Sequence, residues 1–275
     1  MIKTSPTPLD ERSRELRRAI VQTLIAGGRG HLGSAFSLVE ILRVLYDDVL
    51  RYDPKRPDWS ERDRFLLSKG HGCLALYVLL AEKGFFDSAE LERFCHHDGL
   101  LGGHPEIRVP GIEASTGSLG HGLSIGLGFA LAARLRNENW RTFVVLGDGE
   151  SNEGSVWEGA LAAGKHGVDA LTVLIDDNKL QSYGPTRDVQ SMEPVADKWR
   201  AFGFAATEVD GHDVTALQNV FSGLPLEEGR PSLIVCHTVK GKGARSCEGN
   251  PAWHHKSRLA PEAVEQLLAE ITASG

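Results

Sequence analysis

Three observations predict an α/β fold, a parallel sheet flanked by helices on both faces. First, five short apolar runs, at 64–68, 142–147, 171–177, 204–209 and 232–237, lack the in–out alternation of a sheet with one wet face. Second, helical patterns separate these runs, and strands joined by crossover helices build a sheet covered on both sides. Third, the 275 residues, 41% hydrophobic and 24% charged, have the composition of a globular protein. No linker or repeat interrupts them, so a single domain over 1–275 is expected.

The elements follow in order. Residues 9–27 place Leu16, Ile20 and Leu24 on one helical face, and Gly27-Gly28 stops the helix. Ser37 with Glu40 three places later reads as a capping box opening a second helix. Further helices are expected at 72–83, 120–137, 153–166, 213–223 and 261–272, the last with Pro261 in its first turn. Two long stretches, 84–118 and 180–200, are rich in Gly, His, Ser and Pro and read as functional loops.

Composition narrows the function. Lys and Arg total 30 against 37 Asp and Glu, a net charge of −7 that leaves no electrostatic footprint for nucleic acid. The four cysteines form no CxxC pair, which fits reduced thiols in a cytoplasm better than a disulfide scaffold or zinc site. No run approaches the ~20 apolar residues of a membrane span, and "MIKTSPTPLDERSRELRR" has no apolar signal core. A cytoplasmic chain without membrane contact is expected.

The strongest chemical signal is "GDGESNEG", which ends the 142–147 run, followed thirty residues later by "DDNKL" at the end of 171–177. Ligands of an open parallel sheet bind beyond the carboxyl ends of its strands. Asp148 and Asn178 both sit there, and they converge if their strands are neighbours. With the Leu180 carbonyl they form a set of hard oxygen donors suited to Mg²⁺ or Ca²⁺ rather than zinc. Gly147 and Gly149 would let the backbone approach a diphosphate. The plain alternative is a strand-end aspartate capping the 153–166 helix. "SKGHG" runs from strand to helix, where free amides face an anion, and carries His71. "GHLGS" offers His31, "LGGHPE" His104, and "NPAWHHKS" His254 and His255. Imidazoles in glycine-rich loops can move protons near neutral pH. His96, His97, His166 and His212 are not counted as catalytic.

These motifs, with "TGSLGHG", "VDGHD" and "KGKG", resemble the diphosphate-binding domain of transketolase from about residue 10 to 270. The resemblance implies that Asp148, Asn178 and the Leu180 carbonyl hold Mg²⁺, which binds the diphosphate of thiamine diphosphate. It implies Gly149 packed on that group, and His71 and His254 touching it or the reacting centre. His31 and His104 would bind the donor's hydroxyls and shuttle protons, and Gly117–Leu119 would meet the aminopyrimidine edge. Glu153 matches an acidic residue near the family's subunit interface. The implied reaction is reversible transfer of a two-carbon ketol unit from a ketose to an aldose, sugar phosphates included. Leu32, Ser118 and His121 depart from the commonest family pattern, which bears on acceptor preference rather than on cofactor binding.

The family's activating glutamate lies on a pyrimidine-binding domain, and the chain stops after the 261–272 helix. The expectation is therefore the N-terminal subunit of a split transketolase, completed in an α2β2 assembly by a separate C-terminal subunit. The alternatives are the α subunit of a 2-oxo acid dehydrogenase, a deoxyxylulose-phosphate synthase-like enzyme, and a non-catalytic cofactor-binding subunit.

Overall fold

The computed structural model describes residues 7–275. Residues 1–6, which begin the stretch read above for a signal core, lie outside the described residues. The chain opens with α1 (Glu11–Gly27), whose first turn is capped by Asp10 accepting from the Ser13 amide at 2.9 Å. Gly28, in the left-handed conformation at φ 61°, ends it, so the Gly27-Gly28 stop holds. A two-residue strand, β1 (Arg29–Gly30), leads into α2 (Leu32–Phe36) and α3 (Val39–Val44).

The expected capping box is absent. The Ser37 hydroxyl donates to Asp176 at 2.6 Å, and Glu40 is taken up by Arg17 and His212. Both side chains are fully buried, where long-range partners outcompete the local amides.

The remaining elements run β2 (Arg64–Leu67), α4 (Cys73–Glu82), α5 (Gly122–Arg136), β3 (Thr142–Gly147), α6 (Gly154–His166) and β4 (Leu171–Asp177). They continue with α7 (Thr186–Gln190), α8 (Val195–Ala201), β5 (Ala205–Asp210), α9 (Val214–Ser222), β6 (Ser232–His237), β7 (Lys256–Ser257) and α10 (Pro261–Thr272). All five expected strands form. The stretch 180–200, read as loop, contains α7 and α8, and α8 buries Val195, Ala196 and Trp199. Pro194 sits just before that helix, where a missing N–H costs nothing.

The five main strands pair in parallel in the order β2-β3-β4-β6-β5. Alternate residues of each strand feed separate apolar clusters. Phe143, Val145, Leu174 and Ile234 pack with α1, α3 and α4 on one face. Val144, Leu146, Val173, Ile175 and Val235 pack with α5, α6 and α8 on the other. Both faces are dry, which is why the strands read as unbroken apolar runs. A second, antiparallel pair joins β1 to β7, with Arg29 opposite Ser257 and Gly30 opposite Lys256. That pairing ties the segment carrying His31 to the one carrying His254 and His255.

Candidate active site

The carboxyl ends of β2, β3, β4 and β6 lie side by side, so Lys69, Asp148, Asn178 and Thr238 leave the sheet along one edge. Strands β3 and β4 are direct neighbours, with Gly147 opposite Asp176. The neighbouring strands on which convergence of Asp148 and Asn178 depends are therefore in place. Asp148 accepts from the Gly149 amide at 2.7 Å and the Lys179 amide at 2.6 Å, pinning the two strand-end turns together. It begins the short turn Gly149–Asn152, and does not cap α6, whose N-cap residue, Glu153, makes no side-chain cap. Asn178 accepts from the Leu180 amide at 3.1 Å and donates to Asp176 at 3.3 Å.

Asp176 organises the floor. It is fully buried and receives the Lys69 ammonium, the Ser37 and Thr238 hydroxyls and the Asn178 amide. Burial pushes its carboxyl up, but Lys69 overrides this and holds it below the ordinary aspartate range. Asp148 makes no ion pair among the described residues, and Lys69 offsets its surroundings only in part. Burial, reinforced by Asp176 and then Asp177, pushes it up to about 6. Lys240, from the turn after β6, donates to the Leu180 carbonyl at 2.8 Å and to His254 Nδ1 at 2.8 Å. Burial and the Lys69 charge bring it down to about 8.

Above this floor the structure gathers five histidines. The His31 ring lies 5.3 Å from His71, 6.2 Å from His104, 5.3 Å from His254 and 4.9 Å from His255, centroid to centroid. His71 stands on the turn Gly70–Gly72 that links β2 to α4. His104 is held by its carbonyl, which accepts from Tyr77 at 2.7 Å. Burial, followed by the charges of His254 and His255, drives His31 down to about 3. Burial and Lys240 drive His254 down to about 4, and burial and Lys69 hold His71 well below the ordinary imidazole range. His104 is lowered by burial and by Arg29. All four are therefore neutral at pH 7, each with a ring nitrogen that can accept a hydrogen bond.

The glycine positions have steric reasons. Gly117 adopts φ 139°, and a Cβ there would stand 3.0 Å from the His104 ring. A Cβ on Gly149 would approach the Gln181 side chain to 2.9 Å. The loop carrying Gly117 and Leu119 is fastened down by Thr116 donating to the Leu67 carbonyl at 2.7 Å, and by Gly120 donating to buried Glu150 at 2.8 Å. Glu153 lies exposed at the start of α6, against Gly120.

The sequence alone assigns no role to Lys69, Lys240, Glu150 or Asp176, and none to His255 although its motif stands out. Lys69 and Lys240 lie inside "SKGHG" and "KGKG", so the motifs are visible. Their burial, which makes a lysine informative, is a tertiary fact.

Comparison with known proteins agrees with this geometry. Residues 11–272 match the family described as transketolase, thiamine diphosphate binding domain. The chain is 39% identical to one subunit of an apulose-4-phosphate transketolase from Phocaeicola vulgatus, over 96% of this chain and 94% of that one. It is 38% identical to a 6-deoxy-6-sulfo-D-fructose transketolase subunit of a Clostridium species, over 97% of each. Among solved structures, the transketolase of Leishmania mexicana superposes with a TM-score of 0.88 at 30% identity, over 94% of this chain and 40% of that one. The chain thus spans about two-fifths of that solved transketolase, and on these matches it belongs to the transketolase family, as a thiamine diphosphate-binding domain.

Proposed function

We propose that the chain is the N-terminal, cofactor-binding subunit of a split transketolase, one domain over 1–275, transferring a two-carbon ketol unit between sugars. The observation that carries this is the placing of Asp148 and Asn178 at the ends of neighbouring strands, with the Leu180 carbonyl joined through Lys240 to the histidine cluster.

The residues fit the cofactor. Ser34 Oγ, one turn after His31, and Gln181 Nε2, against Gly149, are buried with no hydrogen-bond partner among the described residues. Such atoms cost free energy unless a ligand completes them. The oxygen donors fit a hard cation: Asp148 is raised by burial and by the nearby Asp176 and Asp177 carboxylates, and the Leu180 carbonyl already faces the Lys240 ammonium. Among the described residues no group of three or more His, Cys, Asp or Glu side chains forms a metal cluster. A set with one carboxylate, one amide and one carbonyl is not of that type. Mg²⁺ is the proposed ion, with Ca²⁺ the alternative, shared with the cofactor's diphosphate. Gly149, Lys240, His71 and His254 would border that group, and Gly117 and Leu119 would meet its ring. Glu153 faces the subunit interface.

Bound there, thiamine diphosphate supplies the electron sink that stabilises the two-carbon fragment. The chain's own part is binding, orientation and proton transfer. His31 and His104, held neutral, accept hydrogen bonds from the donor's hydroxyls. One of them takes the hydroxyl proton as the carbon–carbon bond breaks and returns it to the acceptor product.

Two relatives matched nearly end to end carry the word subunit in their names, which supports a separate partner subunit; we propose that it bears the pyrimidine-binding domain in an α2β2 assembly. Cysteines 73, 95, 236 and 247 are all free, and among the described residues no helix is long and apolar enough to cross a membrane. Both support a cytoplasmic enzyme.

The test is to isolate the chain from its native cells with whatever binds it stoichiometrically, then assay both forms. The lone chain should bind thiamine diphosphate in a Mg²⁺-dependent way without turnover, and the complex should transfer ketol units from a ketose but not decarboxylate a 2-oxo acid. Turnover by the rigorously pure single chain would remove the split-enzyme reading.

A further inference from the structure

Beside the histidine cluster opens a cavity of about 290 Å³, lined by Arg29, His31, His96, His104, Arg108 and His255 together with small and apolar residues. No carboxylate lines it, in a chain whose net charge is −7. Its charges are not equivalent. Arg108 is engaged by Glu106 at 2.7 Å, so it is already neutralised. Arg29 makes no ion pair and no side-chain hydrogen bond among the described residues, yet its charge is felt by His104 and by Cys95. The β1–β7 pairing fixes it: Arg29 stands opposite Ser257, two residues beyond His255, whose ring rests 4.9 Å from His31. A guanidinium with no partner among the described residues and an imidazole thus line one cavity with the histidines proposed to handle the sugar's hydroxyls. This geometry suits a ligand with hydroxyls at one end and a tetrahedral oxyanion at the other.

We infer that Arg29 and His255 form an oxyanion subsite on this chain, selecting sugars that end in a phosphate or a sulfonate. The inference rests on the proposed ketol-transfer reading for the sugar, but the charge recognition is a property of the cavity. Substrate choice is then shared between this chain and its partner rather than left to the partner alone.

Three ketoses that differ only at C6 test it: fructose, fructose 6-phosphate and 6-deoxy-6-sulfofructose. Each is titrated calorimetrically into the full chain, with and without thiamine diphosphate and Mg²⁺, in wild type, Arg29→Gln, Arg29→Lys and His255→Gln. Wild type should bind both anionic ketoses at least about tenfold more tightly than fructose, or ~1.4 kcal/mol. Arg29→Gln should shrink that gap to about twofold, Arg29→Lys should keep part of it, and His255→Gln should lose about threefold, all with unchanged fructose affinity. A gap for the phosphate alone or the sulfonate alone identifies which oxyanion is selected. A gap that survives Arg29→Gln, or no gap in wild type, overturns the subsite. Thiamine diphosphate affinity is measured in parallel on every variant. If the cofactor fails to bind while the gap and its loss are seen, the oxyanion subsite stands and the transketolase reading falls.

Discussion

Two buried charged clusters lie close in the chain and behave in opposite ways. In the first, Arg17 grips Glu40 through two bonds of 2.6 and 2.9 Å, and donates further to the Phe36 and Lys242 carbonyls. His212 donates from Nδ1 to Glu40 and accepts the Val239 amide at Nε2. Every charged group there has its partner, and Arg17 overrides burial to hold the Glu40 carboxyl well below its ordinary range. In the second, around Asp148, the aspartate is pushed up, the histidines are pushed down, and Ser34 Oγ and Gln181 Nε2 have no partner. A satisfied polar cluster stabilises the fold, whereas one left incomplete marks where a ligand finishes the network.

The sharpest way to break this contrast is Arg17→Ala. It strands Glu40 in the core and should cost about 3–5 kcal/mol in urea unfolding. Asp148→Asn should do the reverse. Apo stability should shift by less than about 1 kcal/mol, because relief of a charge disfavoured by burial and by Asp176 offsets the loss of one of its two amide hydrogen bonds, while Mg²⁺-dependent cofactor affinity falls by about 100-fold, ~2.8 kcal/mol. Equal unfolding losses in the two variants would erase the distinction.

Acid separates the clusters by pH window. The His31 and His254 values, about 3 and about 4, lie below the ordinary imidazole value of 6.5. Between those limits the unfolded chain binds more protons, so stability falls as pH drops below about 6.5. Glu40 is lowered from an ordinary value of 4.5, and its contribution is lost only as pH falls below that. Asp148, raised to about 6, opposes the histidines over part of the range. Comparing wild type with His31→Gln isolates the histidine contribution: the fall in urea midpoint from pH 7 to 5 should be smaller in the variant. An unchanged slope would mean that His31 does not carry the acid sensitivity of the site.

Much of this is legible in the chain. Every strand is visible because both sheet faces are dry, and the strand-end position of Asp148 and Asn178 follows from that. What stays hidden is long-range choice. Ser37 and Glu40 carry a local capping signature, yet Asp176, 139 residues away from Ser37, and Arg17 claim them. Helix α8 reads as loop because its length of seven residues gives little periodicity, and its stability comes from Trp199 packed edge-on against Phe204. Lys69, Lys240 and His255 are in view as letters, but only the fold shows two of them buried and the third beside His31.

The finest distinction rests on one oxygen atom. Ser34 is 1% exposed and its hydroxyl has no partner, unlike Ser37 three residues on, whose hydroxyl is spent on Asp176. Removing an unsatisfied buried hydroxyl relieves a desolvation penalty, so Ser34→Ala should leave apo stability unchanged or raise it by up to about 1 kcal/mol. Ser37→Ala, made as its partner, should lower stability by about 1–3 kcal/mol because it unmakes a bond to a buried carboxylate. If the Ser34 hydroxyl is there for the cofactor, Ser34→Ala should weaken thiamine diphosphate binding by a few-fold, about the worth of one hydrogen bond, despite the steadier fold. Stability and affinity moving in the same direction would show instead that the hydroxyl serves the fold, and would leave Gln181 Nε2 to carry the case for an unfinished network at the site.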